Sequence, residues 1–133
     1  MIDPNNVPSV EPDEKLARYV LQSSHIRRSD ATVKADAFVP HPYQDLSVDR
    51  HRSATIEELW QSGARVAAKS GKTLHGRADF PTTVCLQNKL TVEANPNDGN
   101  PNHAIIIGWP TDKPLQKIIA LELAASARYV AKN

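Results

Sequence analysis

Cysteine is almost missing from this chain. Cys85 is the one thiol in 133 residues, so no intrachain disulfide forms and burial must hold the fold. Long apolar runs are missing too, and with them any stretch of about 18 apolar residues able to span a bilayer. The opening segment MIDPNNVPSVEPDE has no basic start and no apolar stretch, so it lacks a secretory pattern. The expectation is a cytoplasmic protein that makes no membrane contact. Seven aromatic residues are few, which leaves the core to Val, Ile, Leu and Ala. Gly-x-x-x-x-Gly-Lys, Gly-x-Gly-x-x-Gly and Gly-x-Ser-x-Gly are all absent. Triphosphate hydrolysis, dinucleotide chemistry and a serine nucleophile on an elbow are disfavoured accordingly.

Neither sign of charge dominates, since the net is +1. That total conceals a split. Residues 1–15 hold Asp3, Glu11, Asp13 and Glu14 against Lys15, a net of −3, and the remainder carries +4. The leader, residues 1–12, has Pro4, Pro8 and Pro12 and few apolar groups. It reads as a disordered or loosely docked tail on a single domain over 13–133.

Within that domain, Asp13 precedes Leu16, Tyr19 and Val20 at helical spacing, which predicts a short helix over 14–23; a strand at 19–21 is the alternative. Residues 32–39 alternate as a half-buried strand, with Phe38 on the outer side, and 46–51 resume the alternation beyond Pro40 and Pro42. Thr55-Ile56-Glu57-Glu58 is a capping box that opens a helix over 55–70, stopped by Gly71. Residues 73–79 are a short strand or extended loop. Residues 82–86 and 90–94 read as a hairpin. The octet 95–102 consists entirely of turn formers. Residues 103–107 form an apolar run suited to a strand covered on both faces. A last helix starts near Asp112 and runs to about 130, with Trp109 beneath it. The sum is an α+β fold: about five strands, mostly antiparallel, with two main helices on one face and a short N-terminal helix.

Five histidines fall at element ends or in loops, where a scaffold usually presents chemistry. No close His or Cys pair of the kind zinc favours is present, so no metal and no cofactor is expected, although His41, His51 and His103 are the histidines a distant set would draw on. Cys85 reads as a buried, inert thiol. His25-Ile26-Arg27-Arg28, Arg50-His51-Arg52 and Gly76-Arg77 are compact basic clusters. Arginine forks match phosphate and carboxylate, so His25, Arg27, Arg28, Arg50, Arg52 and Arg77 are the anion-binding candidates. The bland alternative pairs them with Asp30, Asp36, Asp49 and Asp79 as solvated surface charge. Two histidines near neutral pKa could instead move protons at a phosphodiester. His51 with His103, or His25 with His51, would serve, helped by Arg50 or Arg77 and the Tyr43 hydroxyl.

The segments Leu46-Ser47-Val48-Asp49-Arg50-His51, Gly76-Arg77-Ala78-Asp79 and Asn102-His103-Ala104 through Gly108-Trp109-Pro110 resemble a loose group of small bacterial proteins of unassigned activity. The resemblance covers most of 16–131. It implies a bacterial origin and brings no site residue with it. The leading expectation is a small binding or regulatory protein for an anionic partner, a nucleic acid or nucleotide, with a protein partner or homodimer also compatible. The alternative is a metal-independent phosphodiesterase or ribonuclease using His51 and His103.

Overall fold

A computed structural model describes residues 1–40 and 44–132. His41, Pro42 and Tyr43 lie outside the described residues, and with them the readings of His41 as a ligand, Pro42 as a ladder breaker and the Tyr43 hydroxyl as a catalytic aid.

The chain begins its regular structure with β1 (Lys15–Val20), followed by a 3₁₀ turn (Ser23–His25). Two-residue strands β2 (Ile26–Arg27) and β3 (Thr32–Val33) make a small hairpin, and a second 3₁₀ turn spans Ala35–Phe38. Then come β4 (Leu46–Arg50), α1 (Ile56–Ser70), β5 (Gly76–Pro81), α2 (Thr82–Gln87), β6 (Thr91–Ala94), β7 (His103–Ile107), α3 (Lys113–Ser126) and β8 (Arg128–Ala131). The fold is α+β. Its main sheet has six strands in the order β6-β7-β4-β1-β5-β8, and every neighbouring pair is antiparallel.

The helix predicted over 14–23 is a strand. β1 sits inside the sheet, between β4 and β5, and buries Leu16, Ala17, Tyr19 and Val20. Burial on both faces erases the period-two pattern that marks a strand, and the residue spacing then imitates a helix. The reverse error occurs at 82–86. Thr82, Val84 and Cys85 point inward and Thr83, Leu86 and Gln87 outward, a helical period. Both the Thr82 amide and its hydroxyl donate to the Glu14 carbonyl at 2.9 Å, and this anchor overrides β-branched propensity. β6 consequently pairs with β7 rather than forming the predicted hairpin with 82–86. The strand predicted over 32–39 shrinks to Thr32–Val33. The rest tightens into a 3₁₀ turn that buries Phe38 edge-on against Phe80, ring centroids 5.3 Å apart.

Alternation places the two long helices on opposite faces, not on one as the sequence pattern led us to expect. Leu16, Val20, Phe80 and Ile106 join Ala120 and Leu123 of α3, with Phe38, Cys85 and Trp109, in the main core. Between them, Ala17 and Tyr19 turn to the other side, where α1 lies. There the Tyr19 hydroxyl is 2.9 Å from the Leu59 carbonyl, and a Cβ on Gly63 would fall 2.8 Å from the Tyr19 ring. Gly63 therefore lets α1 lie close on that ring. The capping box forms as read: the Glu58 amide donates to Thr55 Oγ1 at 3.1 Å and the Thr55 amide to Glu58 Oε1 at 2.9 Å. Gly71 ends the helix at φ +65°. In β7 only Ala104 and Ile106 are buried, since α1 leaves the side of His103, Ile105 and Ile107 half-covered. α3 stops at Ser126, and Arg128–Ala131, most of which the sequence pattern assigns to the helix, pair with β5 as the edge strand β8.

The leader follows the sheet. The Ile2 amide donates to Asn102 Oδ1 at 2.9 Å, and Ile2 is buried. Asn102, fully buried, donates through Nδ2 to the carbonyls of Arg50 and Arg52 at 2.7 Å each.

Candidate functional site

The basic clusters separate into internal and external groups. Arg50 has no exposed surface. Its Nε and Nη2 donate to Glu14 Oε1 and Oε2, both at 2.7 Å, while Nη1 and Nη2 also reach the carbonyls of Pro8 and Ser9 at 2.7 and 3.2 Å. These bonds engage the whole guanidinium fork. Burial alone would raise the Glu14 carboxyl; the bonds from Arg50 and the Glu11 amide outweigh it and hold the group below its ordinary value. Arg52 is exposed and stands 3.5 Å from Glu14 Oε2. Arg77 is buried. Its Nε lies 3.1 and 3.2 Å from the Asp79 oxygens, and its guanidinium carbon stands 4.6 Å from the Trp60 ring centroid. Arg77 Nη1 has no hydrogen-bond acceptor, and the π face of Trp60 substitutes for one. His51 Nε2 is bonded to Asp79 Oδ1 at 2.9 Å. Burial pushes Asp79 up, yet His51 and Arg77 together bring it below its ordinary value.

His103 is held elsewhere. Its Nδ1 is 2.8 Å from the Asn95 carbonyl, beyond the end of β6, whereas His51 is tied to β5. The two residues are nevertheless neighbours in the sheet, since His103 pairs with Asp49, two residues before His51. His51 lines a depression beside the leader with Glu11 and Asp13, and His103 lines a groove beneath α1.

The external basic group is built on the β2–β3 hairpin. Asp30 shapes its turn, accepting from the Thr32 hydroxyl at 2.6 Å and the Thr32 amide at 3.2 Å, with Ala31 at φ +56°. This leaves Arg27 and Arg28 exposed. Together with Lys34, Ser23, Ser24 and Ser29 they line a depression of about 420 Å³. Arg27 makes a loose 3.9 Å pair with Asp30; Arg28 and Lys34 have no ion pair among the described residues. His25 registers the surrounding field. Burial lowers its pKa first, Asp36 opposes, and Arg18, Lys72 and Lys34 lower it further. His25 is thus a neutral hydrogen-bonding group at pH 7, not a cation. Lys34 and Lys72 escaped the sequence reading because no local cluster marks them. Arg18 escaped it as one residue of a strand mistaken for a helix.

No protein-family model, curated protein or solved structure matches this chain. Its chemistry must therefore be read from its own side chains.

A second concavity, of about 490 Å³, runs under α1. Its floor is Asp49, which sequence reading had treated only as a partner for surface arginine. Asp49 Oδ2 accepts from the Tyr19 and Ser62 hydroxyls, each at 2.6 Å, and Oδ1 from Asn100 Nδ2 at 2.9 Å. Burial, then Asp49, push the Tyr19 phenol far above its ordinary value, so it remains a donor. Asn100 comes from the turn-rich octet, where composition signalled a turn and nothing more. Among the described residues, no group of three or more His, Cys, Asp or Glu is placed to hold a metal ion, and no helix is long and apolar enough to cross a membrane.

Proposed function

We propose that this protein binds an anionic partner, a nucleotide or a single-stranded nucleic acid, at the basic edge formed by the β2–β3 hairpin. The observation that carries this reading is the grouping of Arg27, Arg28 and Lys34 with three serines around one depression. Guanidinium forks and hydroxyls supply donors suited to phosphate oxygens, and no bond need be broken. Arg50 and Arg77 leave the binding set because both are buried, Arg50 with its fork on Glu14 and Arg77 against Asp79 and the Trp60 ring. Arg52 stays accessible beside Glu14, outside the hairpin depression. The phosphodiesterase reading gains no support from His51 and His103, which line different depressions and are bonded to Asp79 and Asn95 respectively.

The test is fluorescence anisotropy with a labelled single-stranded RNA and with a nucleotide, at two salt concentrations. Binding should tighten as salt falls, and Arg28→Ala with Lys34→Ala should flatten the salt slope by about 0.7 for each phosphate no longer neutralised. Absence of binding at low salt, or a slope unchanged in the variant, overturns the reading.

A further inference from the structure

Among the described residues, Glu14 and Asp49 are buried carboxylates and Asp79 is nearly so, and Asp49 differs in kind. Glu14 is forked by Arg50, and Asp79 lies between Arg77 and His51. Asp49, only 2% exposed, is bonded solely to neutral donors and has no ion-pair partner among the described residues. A buried ionised carboxylate ordinarily has a counter-charge. Oδ2 is filled by two donors, whereas Oδ1 takes one and keeps a second acceptor direction. Asp49 is one of the residues lining the groove beneath α1.

The rim has the opposite sign. Arg65 and Lys69 follow Ser62 on the same face of α1, about one and two turns further along, or roughly 5 and 10 Å. Lys69 has no ion pair among the described residues, and Arg65 has one long bond, 3.4 Å, to the Gly99 carbonyl. Leu21 and Val66 provide apolar wall between floor and rim. Asp98 also lines the mouth, which works against a ligand that is purely anionic.

We infer that this groove is a second site, separate from the hairpin, for a small zwitterion of the amino-acid type. Its ammonium donates to Asp49 Oδ1, its carboxylate meets Arg65 and Lys69, and its aliphatic carbons lie on Leu21 and Val66. The two concavities share no lining residue, so this site stands whether or not the hairpin binds phosphate.

Backbone-amide NMR of the full chain tests it, with glycine, γ-aminobutyrate and ε-aminocaproate as probes and butylamine and butyrate as half-ligands. At least one zwitterion should move the amides of Ser62, Arg65, Asn100 and His103 and bind about tenfold more tightly than either half-ligand. Asp49→Asn should abolish the preference for an ammonium. Because Asp49 is buried, the surface variant Arg65→Ala with Lys69→Ala carries the test independently: it should weaken the zwitterion about tenfold and leave butylamine unaffected. Silence of those amides toward every zwitterion at about 20 mM overturns the inference. So does butyrate binding as tightly as the zwitterion, or unchanged affinity in the surface variant.

Discussion

Arg50 donates two 2.7 Å bonds to the Glu14 carboxylate, and both residues are buried. Removing one member strands the other, so Arg50→Ala should cost about 3–5 kcal/mol of unfolding free energy, read from the urea midpoint. Converting both to apolar residues of similar size should cost much less, because no unpaired charge then remains. Acid acts through the same pair. Glu14 and Asp79 both have lowered pKa values in the fold, so their stabilisation is complete above the unfolded carboxyl range and is lost as pH falls through the folded values. His25 is lowered too, from 6.5; the unfolded chain takes up its proton first, and stability begins to fall as pH drops below about 6.5. Thermal melting from pH 8 to 3 should therefore show a shallow loss near pH 6 and a steep one below pH 4.5, with His25→Asn removing only the first. Cys85 is fully buried and its thiol is pushed up to about 12, so a thiol reagent should modify it only at the rate of unfolding.

At the scale of elements, α1 tests whether end signals or packing hold a helix. Both halves of its capping box are made, and Thr55→Ala should cost about 1 kcal/mol in denaturant unfolding. Gly76→Ala tests β8. A Cβ there would fall 2.5 Å from the Tyr129 hydroxyl and the Val130 carbonyl, so hydrogen exchange should speed up selectively over 128–131. These elements also show where sequence reading works. α1 was legible because its cap, its stop and its stripe all lie within one local window. β1 was not, because a strand covered on both faces presents no alternation. α2 was not, because its anchor is Glu14, 68 residues away. The candidate sites follow the same rule. Arg27 and Arg28 were visible as neighbours in sequence, whereas Lys34 joins them only through the fold. Asp49, Ser62, Tyr19 and Asn100 come from four separate segments, and no spacing announces them.

Taken whole, the molecule keeps much of its arginine for itself. Arg50 ties down the leader, and Arg77 fills the space between Asp79 and Trp60. A near-neutral chain thus presents exposed positive charge at the hairpin edge and again on α1 at Arg65 and Lys69, and salt should act on both.

The grip of Asn102 makes the leader a reporter on the seam between β4 and β7. Its side chain links Ile2, 100 residues distant, to the carbonyls of Arg50 and Arg52. The bond to Ile2 exists only while residues 100–103 stand beside the end of β4, so opening of the β4–β7 seam frees residues 1–3 as well. Limited proteolysis near Ile2 should therefore report on that seam rather than on the leader alone. A clasped leader is accordingly a mark that the sheet behind it is intact.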